Sequence, residues 1–258
     1  MAAIIQYLIW KNKVEKGEKT NLHYTFKDFT NSKFGGNTLS NWKIIKFADK
    51  LKDIVCLLIG CTRKQLEDRD FKETSLGVEW RVFKHTLDNS ILSPQEMSIQ
   101  HALHNGFRDC FYEEINLTPR LFLQKIGTDL FRNQLHPNIW VNSLMSEYKP
   151  FKKEGGFQRS VKSEEGIPYD FEYEIEYPNW IITDVRFVNE ADAVKSRGGI
   201  NIRIDRPNLL NNQNNINLEH ISETSLDDYK FNYYICNDSS IENLIEQVKN
   251  ILIKEKLL

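Results

Sequence analysis

An acidic residue directly follows a short apolar run. Residues 180–183 read Trp-Ile-Ile-Thr, a composition typical of a strand buried on both faces, and Asp184 comes next. A carboxylate in that position suits Mg²⁺, which prefers oxygen ligands, keeps several waters and needs only one or two carboxylates. An aspartate that caps the turn after a strand is the more common arrangement and is the alternative.

Three arginines stand at the ends of predicted elements. Arg186 lies in the loop after this strand, Arg132 ends a predicted helix and Arg206 follows another predicted strand. Planar guanidinium groups bind phosphate oxygens bidentately, and a phosphoryl-transfer transition state spreads charge over several oxygens. One such arginine alone is more commonly a surface salt bridge. Together they predict that their side chains converge with Asp184 around one anion-sized hollow.

Other groupings of reactive residues are weaker. His101-x-x-His104 with Cys110 downstream could suggest zinc, but no fourth ligand is nearby, so ordinary helix residues are the better interpretation. The alternating acidic run at 172–176 is typical of a solvated face. A metal-dependent nuclease would need several carboxylates converging with Asp184, which the spacing does not show. No Gly-x-Ser-x-Gly elbow supports acyl transfer.

The composition excludes several classes of protein. The chain has 258 residues, 40% of them hydrophobic, so it can bury a sizeable core. Lysine and arginine total 34 against 36 acidic residues, which argues against a nucleic-acid-binding surface over the whole chain. No apolar run reaches the roughly 18 residues of a membrane-spanning helix, and four scattered cysteines are typical of reduced thiols. We expect a soluble cytoplasmic protein that binds neither nucleic acid nor membrane.

The first part of the chain predicts a buried helix, a strand and a second helix. Residues 2–10 are apolar nearly all round, which indicates a buried helix, and the polar run 11–19 should end it. Residues 41–47 alternate as a strand does. A core-facing helical stripe follows at Leu51, Ile54, Val55 and Leu58.

Further helices are predicted in the middle of the chain. A helix start with proline in its first turn lies at 93–96, and clearer helices follow over 118–131 and from about 137 to 148. Residues 150–179 are charged and carry several glycines and prolines. We expect this segment to be a surface insertion.

The last third of the chain alternates strands and helices. Strands are predicted at 180–183 and 200–204, with a helix over 189–197 between them that Gly198 closes. The Asn-rich loop at 208–217 is either a connector or a closing lid.

The carboxyl-terminal segment predicts one more strand and a helix. The strand covers 231–236. The closing helix has an apolar face and is capped by Ser239 or Ser240.

This alternation implies an α/β fold with a mostly parallel sheet and helices on both of its faces. Such sheets bind ligands beyond the carboxyl ends of their strands, where Asp184 and Arg206 lie. We expect one domain over residues 1–258, with the insertion at about 150–179 and a lid-like loop at about 207–219.

Six stretches of sequence stand out when they are taken together. They are 46–53 (Lys-Phe-Ala-Asp-Lys-Leu-Lys-Asp), 123–132 (Leu-Gln-Lys-Ile-Gly-Thr-Asp-Leu-Phe-Arg), 138–141 (Asn-Ile-Trp-Val), 182–190 (Ile-Thr-Asp-Val-Arg-Phe-Val-Asn-Glu), 202–207 (Ile-Arg-Ile-Asp-Arg-Pro) and 220–223 (His-Ile-Ser-Glu). Their order resembles that of the bacteriophage-type deoxynucleoside monophosphate kinase family, which belongs to the P-loop kinases. Each stretch alone is moderately specific, and their serial occurrence makes the resemblance strong.

The resemblance implies ATP-dependent phosphorylation of a deoxynucleoside monophosphate (dNMP) to its diphosphate, with Mg²⁺. By position, Arg132 would hold the phosphate of the monophosphate, Asp184 would bind the metal and Arg186 would contact phosphates. Arg206 would act near the nucleotide at the base of the lid. If a phage encodes the protein, it would work in the host cytoplasm, and a homodimer is left open.

The resemblance also implies a set of substrate-binding residues. They are Phe47, Lys52, Gly127, Thr128, Trp140 and Glu190. Phe47 and Trp140 would contact the base, although packing in the core accounts for an aromatic residue at either position about equally well. Glu190 would orient Arg186 or face solvent at the start of a helix.

One departure from the family concerns the phosphate-binding loop. Its pattern, Gly-x-x-x-x-Gly-Lys-Ser/Thr, precedes a helix near the amino terminus in that family and occurs nowhere in these 258 residues. We therefore expect the first strand and the loop to be missing and the sequence to begin just past them, with an upstream in-frame segment encoding both. The chain as written should phosphorylate nucleotides very poorly, and a non-catalytic nucleotide-binding protein or a truncated kinase remnant is the alternative.

Overall fold

The structure is a computed structural model that describes residues 1–17, 25–31, 40–85, 91–103, 112–152, 175–206 and 224–258. These residues divide into two compact units. The terminal unit comprises Met1–Phe47 and Val141–Leu258, and the central unit comprises Ala48–Trp140. The Asn-rich loop, most of the predicted insertion, His104 and Cys110 lie outside the described residues.

Both units contain helices and strands. The helices are α1 (Ala2–Glu15), α2 (Phe26–Asn31), α3 (Asp49–Ile59), α4 (Arg63–Glu67), α5 (Arg69–Glu73), α6 (Pro94–Leu103), α7 (Pro119–Gln124), α8 (Ile139–Met145), α9 (Val188–Lys195) and α10 (Ile241–Lys254). A π-helix, Lys125–Leu135, directly continues α7, and a 3₁₀ turn covers Val78–Trp80. The strands are β1 (Trp42–Ile45), β2 (Arg81–His85), β3 (Ile91–Leu92), β4 (Tyr112–Asn116), β5 (Phe151–Lys152), β6 (Ile175–Glu176), β7 (Asn179–Ile182), β8 (Ile202–Asp205) and β9 (Tyr233–Cys236).

The terminal unit contains two parallel pairs of strands. β1 pairs with β7, and the ladder ends with Ile45 opposite Ile182. β8 pairs with β9, and that ladder ends with Asp205 opposite Cys236. Parallel strands with helices between them are therefore confirmed. The single, mostly parallel sheet is not found among the described residues, whose sheets have two or three strands, because no described strand bridges β7 and β8.

The central unit holds an antiparallel sheet that the sequence did not predict. β2 lies between β3 and β4. It pairs with β4 from Arg81 opposite Asn116 to His85 opposite Tyr112. β4 carries two adjacent glutamates, so it lacks the apolar alternation that reveals a strand in a sequence.

α1 lies in the core of the terminal unit. The seven consecutive residues from Ile4 to Trp10 are buried, so the helix is covered on every side. The Gln6 side-chain amide donates to the carbonyl of Trp42 at 2.7 Å, which satisfies a polar group inside this core. The predicted buried helix is confirmed. It continues to Glu15, because lysine and glutamate are good helix formers, and it ends before Gly17 at φ 76°.

α3 forms where the sequence predicts it, but its apolar stripe is not all buried. Val55 is fully buried, whereas Leu58 is 52% exposed. The expectation that the whole stripe faces the core is therefore wrong at Leu58. Gly60 ends the helix in the left-handed region at φ 68°.

The flanks of the predicted insertion meet in the structure. β5 pairs with β6 in an antiparallel ribbon, while Asn179 already belongs to β7. The insertion itself stays a prediction, because residues 153–174 lie outside the described ones. Among the described helices, none has both the length and the apolar composition that a membrane crossing requires.

Ser240 rather than Ser239 is the cap of α10. Its Oγ accepts a hydrogen bond from the Asn243 backbone N–H at 3.3 Å. In Ser240→Ala that N–H loses its acceptor, and we expect the free energy of unfolding to fall by about 1 kcal/mol. Urea denaturation measures this, with Ser239→Ala as the matched control. Equal losses in the two variants would contradict the assignment of the cap.

Candidate functional site

Asp184 joins the loops that follow β1 and β7. Its Oδ1 accepts a hydrogen bond from the Phe47 backbone N–H at 2.8 Å. Asp184 and Phe47 each lie two residues past the last paired residues, Ile45 and Ile182, so a side chain continues the parallel ladder. This hydrogen bond joins two loops, so the metal role of Asp184 and the turn-capping alternative both stay predictions.

Glu190 shapes the loop that carries Arg186. Its side chain is 3% exposed. Its Oε2 accepts hydrogen bonds from the backbone N–H groups of Arg186 at 2.9 Å and Phe187 at 3.3 Å. From the third position of α9 the same carboxylate caps the start of that helix. Glu190 is thus a buried residue that fixes the backbone of Arg186.

Ser225 and Arg206 are two further residues of the terminal unit that bear on this site. The Ser225 hydroxyl donates to the carbonyl of Arg186, so the arginine is held from both sides of its backbone while its side chain is exposed. Arg206 directly follows β8 and is also exposed. Burial and then the charge of Arg206 lower the pKa of the Met1 amino group, which places this guanidinium near the start of α1.

The π-helix of the central unit buries three of the predicted site residues. Gly127, Thr128 and Arg132 are its buried residues. The indole N–H of Trp140 donates to the carbonyl of Gly127 at 2.9 Å, and the Trp140 ring lies 5.4 Å from that of Phe131. Arg132 is 9% exposed, and its Nη1 donates to the carbonyl of Pro137 at 3.3 Å. The π-helix and Trp140 thus form one buried arrangement.

α3 approaches the π-helix closely at Gly127. A Cβ atom there would lie 2.6 Å from Cδ2 of Leu51, closer than such atoms pack. Lys52, the next residue on α3, has its ammonium 2.7 Å from Glu67 Oε1. In the structure Lys52 is therefore paired with a carboxylate of α4.

The predicted site residues fall into two groups. The terminal unit holds Phe47, Asp184, Arg186, Glu190 and Arg206, and the central unit holds Lys52, Gly127, Thr128, Arg132 and Trp140. Within each group the contacts above bring several together. The convergence of Arg132 with the residues of the terminal unit stays a prediction. Phe47 packs in an apolar cluster with Val141, Leu144 and Ala193, and its contact with a substrate is likewise a prediction.

The sequence analysis missed two residues that support the site. Leu51 belongs to the apolar stripe of α3, but nothing in its spacing identifies Gly127 as its neighbour. Ser225 lies 39 residues from Arg186 in sequence, and no local pattern links them. Only a contact prediction from related sequences could have found either.

The sequence model of a family described as deoxynucleotide monophosphate kinase matches residues 64–248, and the protein belongs to this family. The predicted resemblance is confirmed. All of the predicted site residues except Phe47 and Lys52 lie within the matched region.

Two curated relatives share part of the chain. A protein of Acanthamoeba polyphaga mimivirus, provisionally assigned as a deoxynucleotide monophosphate kinase, is 30% identical over 139 residues, which are 51% of this chain and 59% of the mimivirus protein. The deoxynucleotide monophosphate kinase of Enterobacteria phage T4 is 28% identical over 133 residues, which are 52% of this chain and 44% of the phage protein. The chain thus spans about half the length of these two relatives.

Replacement of Glu190 tests how the Arg186 loop is held. Glu190→Ala leaves two backbone N–H groups without their acceptor, and we expect the free energy of unfolding to fall by about 2 kcal/mol. Guanidinium denaturation measures the loss, and the amides of Arg186 and Phe187 should exchange faster with solvent. The control Glu246→Ala removes an exposed glutamate of α10 and should have little effect. An unchanged stability of Glu190→Ala would refute this role.

Proposed function

We propose that the protein binds a deoxynucleoside monophosphate and serves its phosphorylation by ATP. The family match over residues 64–248 carries the proposal, because this region contains Arg132, Asp184, Arg186 and Arg206. The family description itself specifies the substrate class. The roles below combine the family pattern with the position of each of these four residues in its unit.

Arg132 binds the phosphate of the monophosphate in this proposal. It is a buried cation in the π-helix that also contains Gly127, whose carbonyl accepts a hydrogen bond from Trp140. A phosphate oxygen is a stronger acceptor than the neutral Pro137 carbonyl that the guanidinium now contacts, so a phosphate competes effectively for this donor. Burial reduces screening by water and strengthens that interaction.

Mg²⁺ fits Asp184. The Phe47 N–H occupies one site on the carboxylate, and an ionised carboxylate offers about four lone-pair sites. A single carboxylate is adequate for Mg²⁺ because this ion keeps several waters. Among the described residues, no group of three or more His, Cys, Asp or Glu could hold a metal. When bound, the ion neutralises charge on the phosphates.

Arg186 and Arg206 supply further positive charge to the nucleotide phosphates. Glu190 and Ser225 hold the backbone of Arg186, so its exposed side chain extends from a fixed point. Arg206 lies past the end of β8, near the start of α1. Both residues follow parallel strands, where ligands of α/β proteins commonly bind.

The ATP side of the reaction needs donors that this chain lacks. Backbone N–H groups and a lysine of the phosphate-binding loop hold the β- and γ-phosphates in P-loop proteins. The pattern that supplies them does not occur in the 258 residues. We therefore propose that this polypeptide binds the monophosphate but turns over very slowly with ATP.

Calorimetric titration with dAMP, dGMP, dCMP and dTMP tests the proposal. We expect at least one to bind, and Arg132→Met to weaken that binding roughly tenfold or more because a charge-assisted hydrogen bond is lost. Arg120→Met is the matched control, since Arg120 is a partly exposed arginine of the same unit paired with Glu73. A coupled assay should detect little ADP release. Absence of binding to the folded protein would refute the proposed function, and rapid ADP release would refute the slow turnover.

We also propose that the two parallel pairs belong to one interrupted sheet of the P-loop kinase type. A cleft of about 600 Å³ is lined by the consecutive residues 179–183 of β7 and its following loop and by 199–202 of the β8 side. Successive side chains of a strand point to opposite faces, so a cleft that touches every residue runs along the edge of the strand. Its mostly apolar walls, which include Ile182 and Ile202, suit one further strand.

Hydrogen exchange tests whether the two edges are open. Alternate backbone groups of a strand point to opposite edges, so the amides of β7 and β8 that are not bonded to β1 and β9 should exchange rapidly. A strand-forming peptide, Lys-Val-Ile-Val-Ile-Lys, should slow these amides, whereas the control Lys-Val-Pro-Val-Pro-Lys should not. Slow exchange along both edges without any peptide would contradict the proposal.

A further inference from the structure

Cys56 and Cys61 are brought together by the end of α3. Gly60 takes the left-handed conformation that closes the helix, and the Cys61 N–H donates to the carbonyl of Cys56 at 3.1 Å. A hydrogen bond from an N–H to the carbonyl five positions earlier, past a left-handed residue, defines a Schellman turn, which commonly brings the side chains of its two outer residues into contact. The local backbone therefore positions the pair.

The two sulfurs are close enough to bond after a small movement. Their Sγ atoms lie 3.8 Å apart, with the Cys61 thiol donating to Cys56. A disulfide requires about 2.05 Å, so the sulfurs must approach by about 1.8 Å, which rotation about the Cα–Cβ bonds can supply. Both side chains are partly exposed, so a small oxidant can reach them.

We propose that Cys56 and Cys61 form a reversible intrachain disulfide when a small disulfide such as oxidised glutathione acts on them. One cysteine thiolate attacks a glutathione sulfur, which forms a mixed disulfide and releases one glutathione thiolate. The second cysteine, after losing its proton, attacks the protein sulfur of the mixed disulfide and releases the second glutathione. The two cysteines are oxidised by two electrons in total, and the glutathione disulfide is reduced to two thiols.

The resting state of the pair is the dithiol. Burial, and then the hydrogen bond to Cys56, raise the pKa of the Cys61 thiol to about 11. At neutral pH this thiol stays protonated and reacts slowly by itself. Formation of the bond thus depends on an added oxidant, and a thiol reductant reverses it.

The disulfide would fix the connection between α3 and α4. Thr62, the N-cap of α4, directly follows Cys61. Across this connection Lys52 pairs with Glu67, and Arg63 Nη2 lies 2.8 Å from Asp49 Oδ1. Any effect of oxidation on dNMP affinity would act through Lys52 and therefore rests on the proposed function. Formation of the disulfide itself does not rest on that function.

Oxidation in glutathione buffers of increasing oxidised fraction tests the proposal. After alkylation of the remaining thiols, peptide mass mapping should show Cys56 and Cys61 losing alkylation together, with the loss of two hydrogen atoms and no bound glutathione. Cys236, an exposed thiol on β9, is the matched control and should carry glutathione. In Cys56→Ser, Cys61 should instead retain a glutathione adduct.

Three results would overturn the inference. They are stable glutathione adducts on Cys56 or Cys61 in the unmodified protein, disulfide-linked dimers through either residue, and continued alkylation of both under conditions that modify Cys236. Failure of the proposed function would leave a different signature, because no dNMP would bind in either redox state while the peptide map would still report the disulfide.

Discussion

The terminal unit depends on the requirement that α1 be covered on every side. Its buried residues contact α10, Phe29 of α2 and strands of both parallel pairs, and Ile181 of β7 and Ile235 of β9 belong to the same apolar cluster. No described strand links the two pairs. The buried helix therefore holds the two pairs of strands together, as strand pairing would in a continuous sheet. The hydrophobic effect supplies the free energy, because it depends on contact area rather than on directed bonds.

Carboxylates organise the backbone at the ends of the strands in this unit. Asp184 binds the Phe47 N–H, and Glu190 binds the N–H groups of Arg186 and Phe187. Each bond satisfies a backbone donor that regular secondary structure leaves unpaired. The backbone of the loop after β7 is therefore held by hydrogen bonds, while the side chain of Arg186 stays exposed. A loop of this kind can present cations to an anionic ligand with little loss of backbone entropy on binding.

The pattern of apolar residues was sufficient to predict α1, β1, β7, α9, β8 and α10. In each of them the apolar residues either recur at the spacing of one buried face or form a continuous run. It failed for β4, where Glu113 and Glu114 interrupt any alternation. It also could not distinguish the π-helix from an α-helix, since the two differ in hydrogen-bond partners rather than in composition. Position at the strand ends predicted Asp184 and Arg186 as site residues, and their role stays a prediction. The supports supplied by Ser225 and Leu51 arise from tertiary contacts, which one sequence does not reveal.

In the π-helix, the number of residues determines the positions of the side chains as much as their types do. Its N–H groups bond five positions back instead of four, so each turn accommodates an additional residue. Loss of one codon within Lys125–Leu135 would change the hydrogen-bond register of this segment and rotate the residues after it around the helix axis. The indole N–H of Trp140 would then no longer meet the carbonyl of Gly127. We therefore expect related proteins to differ in this segment by substitutions, with insertions and deletions confined to the loops on either side.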